Sequence, residues 1–144
     1  MGGARCACPR LISLYTFFVV SNPEEPILDQ NLSPAEKELQ AIRIYFEWYA
    51  EGKFYECHDV MEEIWFETAG PRRRFFQGLL QCAVARYHWS NENLHGAQIL
   101  YREGTEKLER FRPEYLGVDL ETYIAELNEA LPQIVTNPRP EERV

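Results

Sequence analysis

The fold of this chain is decided by the stretch Pro71–Trp89, which reads PRRRFFQGLLQCAVARYHW. On a helical wheel its apolar side chains cover most directions, and a helix of that kind is buried on nearly all sides. A proline in the first turn and the polar break at Asn91 mark its two ends. We therefore predict a central helix with other helices packed around it.

Four further amphipathic helices are predicted from residue 33 onward, separated by glycine, proline and asparagine. The first begins at Ser33-Pro34 with a capping-box glutamate at Glu36, and it stops at Gly52. The residues predicted to form its inner face are Leu39, Ile42, Phe46 and Tyr49.

No alternating run of apolar and polar residues is long enough to predict a strand. Four short connections join the five helices, so consecutive helices are expected to be antiparallel neighbours. Gly96 and Gly104 in the fourth helix are expected to let a neighbouring helix approach closely. The predicted fold class is all-α, a compact antiparallel bundle of about five helices.

The chain divides into three predicted parts. Residues 1–31 form an N-terminal appendage: Arg5 and Arg10 precede the apolar run Leu11–Val20, which is too short to span a membrane. A signal-like segment and a disordered tail from a start assigned too far upstream both fit this pattern. Residues 32–135 form a single all-helical domain, and residues 136–144 form a frayed polar tail.

Composition limits the partners and the compartment. The 144 residues carry a formal net charge of −8, which argues against nucleic acid or an anionic membrane as a partner of the core domain. The four cysteines contain no C-x-x-C pair, and Cys57 and Cys82 lie on apolar helical arcs. Thiols of that kind are typical of a reducing compartment, so we predict a cytoplasmic protein.

The second helix carries many acids, which a helical wheel divides into two groups. His58 lies at the edge of the apolar arc beside Trp65, and Glu62 follows it at i+4, within side-chain reach. This pair is predicted to be partly buried. The acids predicted to form a solvated face are Glu56, Asp59, Glu63 and Glu67.

The central helix has one narrow polar stripe, which consists of Arg74, Gln77, Gln81 and His88. If the second and third helices are antiparallel, the stripe can face His58 across the gap between them. Three interpretations remain open: a structural hydrogen-bond network, a site for a small ligand, and simple exposure to water.

Three runs, Tyr55–Trp65, Phe75–His88 and Asn91–Ala97, resemble the prokaryotic and plastid family called domain of unknown function 309, over about residues 36 to 128. The resemblance implies a small, compact, all-helical and cytoplasmic domain, and it implies no particular reaction. The residues that match the family's motif are His58, Glu62, Trp65, Gln77, Gln81 and His88.

Two classes of function follow. The first is a binding or interaction module without a cofactor, which holds a small anionic ligand or a protein partner at a polar site between the second and third helices. Arg72–Arg74 at the start of the third helix would attract the anion. The candidate ligand-binding residues are His58, Glu62, Trp65, Arg74, Gln77, Gln81 and His88. The alternative is a metal-dependent, hydrolase-like enzyme with a divalent ion held by His58, Glu62 and His88. Whether the chain is an enzyme stays open, since it has no H-E-x-x-H, G-x-S-x-G or glycine-rich phosphate motif.

Overall fold

The structure, a computed structural model, describes residues 26–132. Its elements are α1 (Pro34–Ala50), α2 (Phe54–Glu67), α3 (Pro71–Ser90), α4 (Leu94–Leu108), a 3-10 turn (Glu109–Phe111), β1 (Glu114–Tyr115), β2 (Val118–Asp119) and α5 (Leu120–Ala130). The all-α bundle of five helices is confirmed. The small antiparallel hairpin, which pairs Glu114 with Asp119, was not predicted.

Side-chain caps define where α1, α4 and α5 begin. Ser33 and Glu36 form the predicted capping box of α1, with the Glu36 N–H donating to Ser33 Oγ at 3.2 Å. Asn93 caps α4 and Asp119 caps α5 through their side-chain oxygens. Between α2 and α3 the chain turns at Gly70, whose φ of +80° is a conformation that other residues rarely adopt.

Helix α3 is the central helix, as predicted, and it packs between α2 and α4. Its contact with α4 is close because both helices present a glycine. A Cβ atom at Gly104 would lie 2.8 Å from Cys82 Sγ, and one at Gly78 would lie 3.1 Å from the Gly104 carbonyl oxygen. The expectation that Gly104 permits a close approach is therefore confirmed.

A buried pair of tyrosines joins α1, α3 and α5. The Tyr45 hydroxyl donates to the Leu79 carbonyl oxygen at 2.9 Å, so the Tyr123 hydroxyl donates to the Tyr45 oxygen, 2.7 Å away. Burial raises the pKa of both tyrosines well above the ordinary value, so both stay protonated donors. This chain of hydrogen bonds fixes α5 against the rest of the bundle.

The inner face of α1 is rotated from the predicted one. Leu39, predicted to face inward, is 56% exposed, and the buried residues of α1 are Glu38, Ala41 and Tyr45. The predicted face is therefore wrong for Leu39. The other three predicted residues, Ile42, Phe46 and Tyr49, are half-buried and pack against the core from its edge.

Residues 27 and 28, which precede the predicted domain boundary at residue 32, pack against α2. The backbone N–H groups of Ile27 and Leu28 donate to the two oxygens of the Glu63 carboxylate at 2.8 and 3.0 Å, and the Leu28 side chain is buried. The predictions for residues 1–25 and 136–144 concern segments outside the described residues. Within residues 26–132, no helix has both the length and the apolar character needed to cross a membrane.

Candidate functional site

Helix α2 buries three carboxylates. Asp59, Glu62 and Glu63 lie in the interior, whereas Glu56 and Glu67 are exposed. The prediction of a solvated face is therefore wrong for Asp59 and Glu63. For Glu63 the physical reason is that the segment before α1 packs against this side chain, and its backbone N–H groups satisfy the carboxylate.

The His58 ring lies between two of these carboxylates. Its Nδ1 is 3.3 Å from Asp59 Oδ1, and its Nε2 is 3.9 Å from Glu62 Oε1. A carboxylate accepts hydrogen bonds, so the His58 Nδ1–H group donates a hydrogen bond to Asp59 Oδ1. The second ring nitrogen is thereby directed at the Glu62 carboxylate.

These three side chains form a compact set of possible metal ligands. One ligand atom from each of His58, Asp59 and Glu62 lies within 4.8 Å of the others, and the side chains are only 2%, 5% and 3% exposed. Among residues 26–132, this is the group of three His, Cys, Asp or Glu side chains that could hold an ion. The alternative metal site predicted from the sequence consisted of His58, Glu62 and His88. In the structure the third member of the group is Asp59, and His88 lies outside it.

A row of four stacked or tilted rings leads from His58 on α2 to His88 on α3. The His58 and Tyr55 rings are stacked with centroids 5.9 Å apart, and Tyr55 and Tyr87 follow at 5.6 Å. Tyr87 then contacts His88 at 5.9 Å, so the row passes from α2 to α3. Burial and then the negative charge of Asp59 raise the pKa of Tyr55, which keeps this ring a neutral phenol.

His88 has a structural role at the junction of α3 and α4. Asn93 Oδ1 accepts from the Gly96 N–H at 3.0 Å, which leaves the Asn93 amide nitrogen 3.4 Å from His88 Nδ1. The amide donates, so His88 Nδ1 is the acceptor and carries no proton in this arrangement. His88 thereby orients the side chain that caps α4.

The rest of the polar stripe on α3 has several environments. Gln81 is buried and donates to Glu103 Oε1 on α4 at 3.0 Å, while Gln77 is buried and Arg74 is exposed. Gln81 Oε1 has no hydrogen-bond partner among the described residues. Since a helix rises about 1.5 Å per residue, Arg74 and His88 are separated by roughly 21 Å along α3. The stripe is too long to surround one small ligand.

Two of the three arginines at the start of α3 contact other parts of the domain. Arg72 Nε donates to the buried carboxylate of Glu38 on α1 at 3.1 Å. The Arg73 guanidinium lies 4.2 Å from the centre of the Trp65 ring, a cation–π contact. Trp65, a predicted site residue, is therefore a fully buried core residue with Arg73 across one face.

Fold and cluster together define a small helical domain with a buried histidine–carboxylate group on its second helix. Residues 42–100, which include all of α2 and α3, match the model of the family described as Domain of unknown function (DUF309). The resemblance seen in the sequence is confirmed over this segment.

One curated relative is "Uncharacterized protein YpuF" of Bacillus subtilis (strain 168), which is 37% identical to this chain over 76 residues. The alignment covers 51% of this chain and 44% of the relative, so the chain spans less than half of that protein. No solved structure matches the chain significantly.

Proposed function

We propose that this domain is a binding module whose buried cluster of His58, Asp59 and Glu62 holds a divalent metal ion. The separation of 3.9 Å between His58 Nε2 and Glu62 Oε1 carries the proposal. It is too long for a hydrogen bond, yet it is within the about 4.2 Å that two ligand atoms, each about 2.1 Å from one ion, can span.

The three side chains have distinct roles in this proposal. His58 Nε2 and Glu62 Oε1 are the ligand atoms, while Asp59 accepts a hydrogen bond from Nδ1–H and fixes the orientation of the imidazole. A carboxylate on the far nitrogen is the usual partner of a metal-binding histidine. Imidazole and carboxylate donors suit Zn²⁺, Mn²⁺, Fe²⁺ and Ni²⁺. A bound ion would supply a Lewis acid at this position.

Electrostatics favour a cation over the anion expected from the sequence. Two carboxyl groups beside one imidazole are a donor set that attracts a cation and repels an anion. Arg72 and Arg73 are already engaged with Glu38 and Trp65. Arg74 is exposed and remains the basis for a separate hypothesis of anion binding at the start of α3.

A hydrolase-like enzyme would use the same ion and would also need a coordination position open to water. A cytoplasmic location is part of the proposal and is supported by the free, buried thiols of Cys57 and Cys82. Burial raises the pKa of Cys82 to about 12, so this thiol stays protonated and unreactive.

The test is metal analysis of the full-length, untagged protein, followed by titration of the chelator-treated protein with Zn²⁺ and Mn²⁺. We expect about one ion per chain, with affinity reduced at least tenfold in Glu62→Gln and His58→Ala. Glu56→Gln and His95→Ala are matched controls, because both residues are exposed and lie outside the cluster.

Equal metal affinity in Glu62→Gln and Glu56→Gln would overturn the proposal, as would the absence of binding in the wild type. A loss of affinity in His88→Ala equal to that in His58→Ala would instead favour the ligand set predicted from the sequence. Circular dichroism of each variant verifies that the helices are intact before affinities are compared.

A further inference from the structure

A groove of about 340 Å³ lies between α1, the hairpin and α5. Its volume is within the range of small-molecule sites. On the α1 side, Ile42, Phe46 and Tyr49 are spaced at i, i+4 and i+7, so they share one helical face. The residues that line the other side are Gly117, Val118, Asp119, Thr122, Tyr123 and Glu126.

The floor of the groove is apolar and aromatic. The Phe46 and Tyr123 rings meet edge to face with centroids 5.6 Å apart, and Tyr49 lies 5.6 Å from Tyr123 at 51°. The hydroxyl of Tyr123 is turned into the core, where it donates to Tyr45. Tyr123 is 4% exposed, so the half-buried side chains of Ile42, Phe46 and Tyr49 supply the apolar surface that a ligand can reach.

The charged groups of the lining are two carboxylates, Asp119 and Glu126. Both are exposed, and neither forms an ion pair with another residue in the part of the chain that the structure describes. Hydrogen bonds from the Thr122 backbone N–H and hydroxyl lower the pKa of Asp119, so its carboxylate is ionised at neutral pH. Asp119 is the N-cap of α5 and Glu126 lies seven positions further along, so the two residues are roughly 10 Å apart along the helix axis.

We propose that this groove binds an aliphatic diamine or polyamine in an extended conformation. Its protonated ends pair with Asp119 and Glu126, and its methylene chain covers the half-buried rings of Phe46 and Tyr49. An apolar floor with a carboxylate at each end matches a molecule with an apolar middle and a cation at each end. An inorganic cation would leave the floor uncovered, and an anion would be repelled by both carboxylates.

The length of the ligand provides the first test. Calorimetric titration of the full-length protein compares diaminoheptane, whose seven methylene groups can cover the apolar floor, with diaminopropane, whose three methylene groups cover much less of it. Both carry two charges, so a nonspecific attraction to the acidic protein affects them equally. We expect diaminoheptane to bind at least fivefold more tightly. Equal affinities, or no binding of either at millimolar concentration, would overturn the proposal.

Variants of α5 provide the second test. Glu126→Gln and Asp119→Asn should each weaken diaminoheptane binding about threefold to fivefold, as expected for an exposed ion pair. Asparagine is a good N-cap, so Asp119→Asn removes the charge and keeps the helix start. Glu129→Gln is the matched control, because Glu129 is exposed on α5 and does not line the groove. An equal loss in Glu129→Gln would refute a specific site.

A second copy of the chain is the competing occupant, and sedimentation of the wild type and Phe46→Ser separates the two cases. If the wild type forms a dimer that Phe46→Ser abolishes and diaminoheptane leaves unchanged, the groove is an interface between copies and the proposal is wrong. A wild type that is monomeric, or whose dimer is unaffected by Phe46→Ser, supports the small ligand.

Discussion

The cluster on α2 and the groove beside α5 each contain two carboxylates, yet they differ in their access to water. Asp59 and Glu62 are more than nine-tenths buried, whereas Asp119 and Glu126 are exposed. An electrostatic interaction is much stronger where the surroundings are poorly polarisable than at a surface. The same residue types therefore suit a small, tightly held inorganic cation in one place and a weakly held organic cation in the other.

Removal of the proposed metal ion should give the largest change in stability. If Zn²⁺ is present at about 100 times its dissociation constant, binding adds about 2.7 kcal/mol to the free energy of unfolding. For a domain of about 100 residues this corresponds to a rise in Tm of roughly 10 °C over the chelator-treated protein. Calorimetric melting of the wild type and His58→Ala checks it, and the rise should be absent from the variant.

The two sites are not independent if diaminoheptane no longer stabilises the His58→Ala variant. We expect the stabilisation by diaminoheptane to be equal in the wild type and in that variant, because the groove contains none of the cluster residues. A shared loss would mean that the two sites are one, or that the variant is misfolded.

Glu63→Gln should have an intermediate effect and separates a structural buried carboxylate from the proposed ligand Glu62. The amide keeps only one oxygen for the two N–H donors of Ile27 and Leu28, so we expect a loss of about 2 kcal/mol. Urea denaturation measures it. Glu56→Gln, on the exposed side of α2, should change stability by less than about 0.5 kcal/mol. A similar loss in both variants would contradict the structural role of Glu63.

The smallest expected effect is the pH dependence of stability that Asp119, at the edge of the groove, causes. The pKa of Asp119 is lowered in the folded state, first by the Thr122 backbone N–H and then by its hydroxyl. The ionised Asp119 carboxylate therefore stabilises the folded state fully above its ordinary pKa of 3.8. This stabilisation is lost as the pH falls through the lower pKa of the folded state. The stability difference between the wild type and Asp119→Asn should shrink in that range when measured by urea denaturation. A difference that is independent of pH would exclude the ionised cap as its cause.

Local patterns were enough to predict most of the fold. The capping box at Ser33, the turn at Gly70-Pro71 and the apolar character of α3 depend on neighbours in sequence, and each is present in the structure. The hairpin between α4 and α5 has strands of two residues, which is too short for a periodic signal.

The environment of the acids on α2 depends on distant parts of the chain. A helical wheel placed Asp59 and Glu63 opposite the apolar arc, yet both are buried, and Glu63 accepts hydrogen bonds from residues 27 and 28, more than 30 positions away. His58 and Glu62 were recognisable from their i, i+4 spacing. Asp59 was not, because a residue beside His58 in sequence points about 100° away from it on a wheel. Its side chain nevertheless turns back to the imidazole.

The contacts of the Glu63 carboxylate also show that the segment matched by the family is shorter than the packed domain. The family match covers residues 42–100. It does not include Leu28, whose N–H donates a hydrogen bond to this carboxylate, or Tyr123, whose hydrogen bond to Tyr45 holds α5 in place. A chain cut to the matched segment would leave a charged group in the interior without its donors and would remove one wall of the bundle. We therefore expect a chain that folds on its own to need a longer piece of the polypeptide, from at least Ile27 to the end of α5.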